Sequence, residues 1–193
     1  MRQSLLVLAC CLAASFPTAA LKYETPSPKP ASPVAKPTTS RAATDRPVDA
    51  CSLLDHKEIE AVTGSPVKEA KPERKEENGF VISQCYFALP VASDSLTLRL
   101  VQRGSGEDAR DPRQVWEETF ARDLKKAEKR KKNRPERVSN LGDEAFWMGG
   151  PEAGGLYVLK GNRHFRIGLG GEKNQARKIE KASKLARAIL KRL

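Results

Sequence analysis

The chain has 193 residues, 35 of them Lys or Arg against 24 Asp or Glu, which gives a net charge of +11. That length suits one domain with a real core behind a processed leader. Two histidines and four cysteines, in no metal-ligand spacing, set aside a zinc-type centre, and no dinucleotide or Walker pattern is present.

The chain opens with Arg2, an apolar run from Leu5 to Phe16 and the small-residue exit Thr18-Ala19-Ala20. Together these read as an export signal, residues 1–20, with cleavage expected after Ala20. The run falls short of the roughly 20 apolar residues that span a bilayer as a helix. Acylation at Cys10 or Cys11 is the competing reading. It ranks second because only Leu5 to Ala9 would form the apolar core ahead of Cys10. The expected location is periplasmic, cell-surface or secreted.

Residues 21–49 carry six prolines among Ser, Thr, Ala and Lys, with almost nothing to bury. Such a segment cannot offset the entropy of ordering itself, so a disordered, extended tether is expected there. It reads as a spacer, with an SH3-type or wall-binding ligand as the alternative. The folded domain is then expected over 50–193. Once the leader is removed, Cys51 and Cys85 remain. In an oxidising compartment they read as a disulfide, the alternative being a redox-active pair, which would lack Cys-x-x-Cys spacing and a flanking cation.

Asp55 followed three residues on by Glu58 predicts a short capped helix that Gly64 and Pro66 stop. Phe80 to Phe87 predicts a strand covered on both faces. Leu96, Leu98 and Leu100 predict its half-buried antiparallel partner across Pro90 to Asp94. Asp111-Pro112 opens a second helix with Trp116, Phe120, Leu124 and Ala127 at helical spacing. Gly161-Asn162 predicts a hairpin that aligns Val158 with Phe165 and Leu156 with Ile167 on the core face, and places Tyr157, Leu159, His164 and Arg166 on the other. A third helix follows, with Ile179, Ala182, Leu185, Ala186, Ile189, Leu190 and Leu193 on one stripe and Arg177, Lys181, Lys184 and Arg187 opposite. In all, three helices and about five strands are expected, an α+β domain.

Cys51-Ser52-Leu53-Leu54 ahead of the capped helix, Cys85-Tyr86, Leu141-Gly142-Asp143-Glu144-Ala145 and the Gly155-to-Gly161 strand resemble an exported domain-of-unknown-function family common among actinobacterial lipoproteins. The resemblance spans most of 50–193. It implies a PsbP-like α/β/α sandwich, a twisted antiparallel sheet flanked by helices, and it brings no catalytic residues to carry over. The chain departs from the family in its poorly placed lipobox and its basic second helix.

The chemical inventory is thin. His56 reads as a first-turn helix residue, and His164 as a structural strand residue rather than a general base. Asp143 and Glu144 point to opposite faces if extended and would not share a proton. Gly104-Ser105-Gly106 and Gly168 to Gly171 read as turns, because Glu107, Asp108 and Glu172 stand where an anion would sit. No cofactor is expected.

Charge is what stands out. Lys125, Lys126, Lys129, Arg130, Lys131, Lys132 and Arg134 crowd one run. A solvated helix face is the plain reading. The functional one is attraction to an anionic envelope polymer or lipid headgroups. Nucleic acid is disfavoured because the run has no interleaved aromatics for base stacking. The expectation is therefore an exported, non-catalytic binding or accessory domain. The alternative is a small envelope enzyme whose site forms only in three dimensions, around His164 with Tyr157 and Arg166.

Overall fold

A single seven-stranded antiparallel sheet organises the α+β fold in the computed structural model, which describes residues 46–128, 135–150 and 152–193, without the side chains of 121 and 123–128. The segment read as an export signal, most of the expected tether, Cys10 and Cys11 lie outside the described residues. Chain order begins with a 3₁₀ turn, Ala50–Leu53, whose cap Asp49 accepts from the Cys51 amide. Helix α1 (His56–Thr63) follows. The Asp55 carboxylate accepts from the Lys57 amide, and Glu58 reaches back to accept from the Asp55 amide. This reciprocal cap satisfies donors that a helix start otherwise leaves open. Gly64 closes the helix at φ 78°, a left-handed turn in which a side chain would be strained.

The strands are β1 (Glu69–Glu77), β2 (Phe80–Ala88), β3 (Leu96–Arg103), β4 (Glu136–Arg137), β5 (Glu144–Met148), β6 (Gly155–Lys160) and β7 (Arg163–Leu169). Helix α2 (Pro112–Glu128) separates β3 from β4, and α3 (Gln175–Leu190) ends the fold. Across the sheet the order is β1-β2-β3-β7-β6-β5-β4, so two meanders of sequential hairpins meet at β3 and β7. The β6–β7 register places Val158 opposite Phe165 and Leu156 opposite Ile167, as the turn at Gly161 predicts.

The two unexpected strands, β1 and β4, sit at the two edges. β1 reads Glu-Ala-Lys-Pro-Glu-Arg-Lys-Glu-Glu and has no apolar alternation, yet it pairs with β2 along its whole length. Edge strands tolerate charge and a proline because one side makes no ladder, and charge there discourages pairing with other chains.

One face of the sheet holds the main core. Cys85, Phe87, Leu98, Leu100, Phe165, Ile167, Leu156, Val158 and Trp147 meet Ile59 of α1 and Ala182, Leu185, Ala186 and Ile189 of α3. The other face holds two smaller clusters under α2, Trp116 and Phe120 on Phe146 and Leu159, and Val115 beside Phe80, Ile82 and Val101. Leu124 and Ala127, expected on the same stripe, lie outside the described side chains. At the N-terminus the fold takes in Val48 and Asp49 ahead of Ala50. The Val48 amide donates to the Gln102 side chain at 2.8 Å, and the Gln102 amide returns a bond to the Val48 carbonyl at 2.9 Å. These bonds satisfy a glutamine that is otherwise buried.

Cys51 and Cys85 are bonded, with their Cα atoms 5.0 Å apart, tying the 3₁₀ turn to the middle of β2. The bridge closes a loop of 34 residues, for which the chain-entropy model gives about 4 kcal/mol. Replacing both cysteines with Ala should lower unfolding free energy by about 2–4 kcal/mol in urea titration. Free-thiol labelling of the unreduced native protein should find neither cysteine.

Candidate anion-binding face

The start of helix α2 is pinned by polar bonds at one end of the sheet, while Phe120 reaches inward to Tyr157 on β6. The Trp116 Nε1 donates to the Glu144 carboxylate at 3.0 Å, and the Arg113 Nε donates to the Gly161 carbonyl at 2.9 Å. Asp143 forms an ion pair with Arg113 and also accepts from the Gly161 amide at 3.0 Å. The two adjacent carboxylates thus do separate work, one clamping the β6–β7 turn and the other seating a tryptophan. Sequence reasoning missed this role, since the partners are 18 to 30 residues away.

His164 belongs to this packing. Its ring lies 5.6 Å from that of Trp116, and its Nδ1 is buried without a hydrogen-bond partner. Burial, reinforced by the charge of Arg99 and opposed by the Pro112 backbone, pushes its pKa down to about 4. The imidazole is therefore neutral near pH 7, with one nitrogen closed to solvent, which argues against its serving as a general base. Tyr157 turns its edge to Phe120 at 5.8 Å, and Arg166 lies over the Tyr157 ring at 5.6 Å. Of the three residues of the enzyme alternative, Tyr157 and Arg166 are in contact, while His164 packs on Trp116.

Farther along the same face the rows turn polar. Cross-strand pairing sets Tyr86 beside Thr97 and Thr97 beside Gly168, and in the next row Gln84 beside Arg99 and Arg99 beside Arg166. These side chains are half-buried except Arg99, which is exposed. The guanidinium of Arg166 lies across Gly155 and Gly168, where a Cβ would come within 2.8 Å of Nε and 3.0 Å of Nη1 respectively. Gly168, read from the sequence as part of a turn, is a strand residue whose missing side chain makes room for this arginine. The signal was in the hairpin register, since pairing Leu156 with Ile167 sets Gly155 against Gly168.

A cleft of about 560 Å³ lies elsewhere, where Ser93 and Asp94 meet Gly170, Gly171 and the start of α3. Its walls mix Asp94, Glu152 and Glu172 with Lys173 and Lys178. Glu172 accepts from the Asn174 amide at 3.0 Å and from Lys181 at 3.2 Å, and these bonds hold its pKa below the usual range. Lys178 is only 2 % exposed, and burial lowers its pKa against the pull of Glu172 and Glu152. Charges of both signs at close quarters suit the anchoring of a helix start better than capture of an anion. Among the described residues no group of three or more His, Cys, Asp and Glu side chains is placed to hold a metal ion.

The basic run lies at the far end of α2. Lys125 and Lys126 are on the helix, with side chains outside the described ones, and Lys129, Arg130, Lys131, Lys132 and Arg134 lie outside the described residues altogether. No family model, curated protein or solved structure matches the chain.

The state of His164 makes stability depend on pH. The folded protein keeps the ring neutral down to about pH 4, whereas the unfolded chain takes up its proton near pH 6.5. Between these values the unfolded state binds more protons, so this stabilisation is complete above pH 6.5 and drains away as pH falls toward 4. The loss at pH 4.5 should be about 2–3 kcal/mol. In urea titrations at pH 7 and 4.5, His164→Leu should show a clearly smaller acid loss than the wild type. Equal losses would mean that other groups carry the effect.

Proposed function

We propose that the protein is an exported, non-catalytic accessory domain of the cell envelope that engages an anionic polymer through its basic surface. The carrying observation is how the charge is placed. Residues 46–193 hold 30 basic and 22 acidic side chains, a net +8, and +6 of that falls between Arg122 and Arg137. A field so concentrated draws polyanions from solution and weakens with salt. Much of the remaining described charge is matched locally, with Lys71 on Glu69, Lys75 on Glu77, Lys184 on Glu180 and Arg192 on Glu58.

Export is supported by the leader and by the disulfide, which persists in oxidising compartments. It is also what the resemblance to the exported PsbP-like family implies. Polymer is favoured over lipid because Val91, 56 % exposed, is the exposed large apolar side chain among the described residues. Proteins that settle on bilayers bury an apolar face as well as matching charge. No helix among the described residues is long and apolar enough to cross a membrane.

The test compares two sets of four charges. Changing Lys129, Arg130, Lys131 and Lys132 to Gln should lower the salt needed for elution from heparin by about half, in line with fewer released counterions. The thermal midpoint should stay nearly unchanged. Changing Arg177, Lys184, Arg187 and Lys191 on the exposed face of α3 should have a much smaller effect. Equal effects would reduce the behaviour to net charge alone, and elution of the wild type at low salt would remove the reading.

A further inference from the structure

We propose that Arg166, laid flat over the Gly155–Gly168 pair, is a recognition site for a single oxyanion, phosphate or carboxylate, carried by the polymer. The inference takes its ligand class from the polyanion reading, but it concerns a different place on the molecule.

Three observations converge on it. Arg99 and Arg166 are direct cross-strand partners on adjacent strands, on one face; Glu77 lies near enough to Arg99 for their charges to be felt, but among the described residues neither arginine has a carboxylate within ion-pair distance. Like charges set opposite one another destabilise a sheet, and an anion between or beside them relieves that cost. Secondly, the site is built: two neighbouring strands carry no side chain at Gly155 and Gly168, and the guanidinium occupies the space. Glycine inside a strand weakens it and marks a place of close approach. Thirdly, the guanidinium carbon lies 5.6 Å from the centre of the Tyr157 ring, within cation–π range, so the ring and the two glycines hold the group in place. Thr97, opposite Gly168, and Tyr86, opposite Thr97, put two hydroxyls in the adjoining row of the same face. A polar sheet face of this kind suits one charged group on an extended chain rather than an enclosed small molecule.

The test uses the full exported chain and follows the amide resonances of Gly155 and Gly168 by NMR. Sodium phosphate and sodium glucuronate are titrated separately at constant ionic strength, with chloride as the balancing salt. At least one should shift both resonances saturably, and the one that does so at lower concentration names the group. Arg166→Lys keeps the charge but loses the fork, and it should weaken that binding about tenfold, the worth of one charge-assisted hydrogen bond. Arg99→Gln should weaken it less, because Arg99 supplies field rather than the fork. Should Arg166→Lys unfold, Thr97→Val provides the second reading, expected to weaken binding without removing it. Failure of both anions to move the two glycines, or an affinity within twofold of wild type in Arg166→Lys, overturns the proposal. That result combined with salt-sensitive heparin retention would leave the polyanion reading standing. Binding dependent on Arg166 in a protein that heparin does not retain would do the reverse.

Discussion

Everything in this fold depends on the pairing of β3 with β7. The other strand contacts are hairpins between successive elements, formed by chain that is already close, whereas β3 and β7 are separated by α2 and the whole second meander. Closing so long a loop is entropically costly and is rewarded only when six residue pairs and the buried sides of both strands come together. Leu98 against Ile167 and Leu100 against Phe165 supply that reward on the main core face, all four of them fully buried. The Cys51–Cys85 bridge acts on the first meander by fastening the N-terminal turn to β2, which leaves the central seam to be held by apolar burial.

With the seam formed, the two faces have different fates. α3 carries a long apolar stripe and, with α1, covers its face from end to end. α2 offers Trp116 and Phe120, and its first turn is pinned by Arg113 to Asp143 and Gly161. On the same face Tyr86, Thr97, Gln84 and Arg166 are half-buried and Arg99 is exposed. The consequences are chemical as well as structural: His164, under the helix, is driven neutral, while Arg166, one row away, is only half-buried. One alternation along β7 thus sets a neutral imidazole next to a half-buried guanidinium.

The fold was legible wherever a local rule applied. The Asp55–Glu58 cap, the Asp111-Pro112 start, the α3 stripe and the Gly161 turn each depend on residues within a few positions of one another. β1 was not legible, because an edge strand answers to the hydrogen-bonding needs of its neighbour and has no apolar period of its own. The roles of Asp143 and Glu144 escaped for a related reason, since both are defined by partners on a distant helix and turn. Of the candidate face, Tyr157, His164 and Arg166 were placed together by the hairpin register. What separated them, the reach of α2, was not written in their own segment.

The central arginines bear on why the sheet is built as it is. A protein under pressure for stability alone has a simple remedy at positions 99 and 166: a threonine or valine at either would raise strand propensity and remove a like-charge contact, and with Arg166 gone the space at 155 and 168 could take side chains too. The arrangement found instead leaves two strands without side chains where they support one guanidinium, and faces that guanidinium with a second cation. Local violations of stability rules that share a single surface are expected where a site is maintained at the expense of the fold.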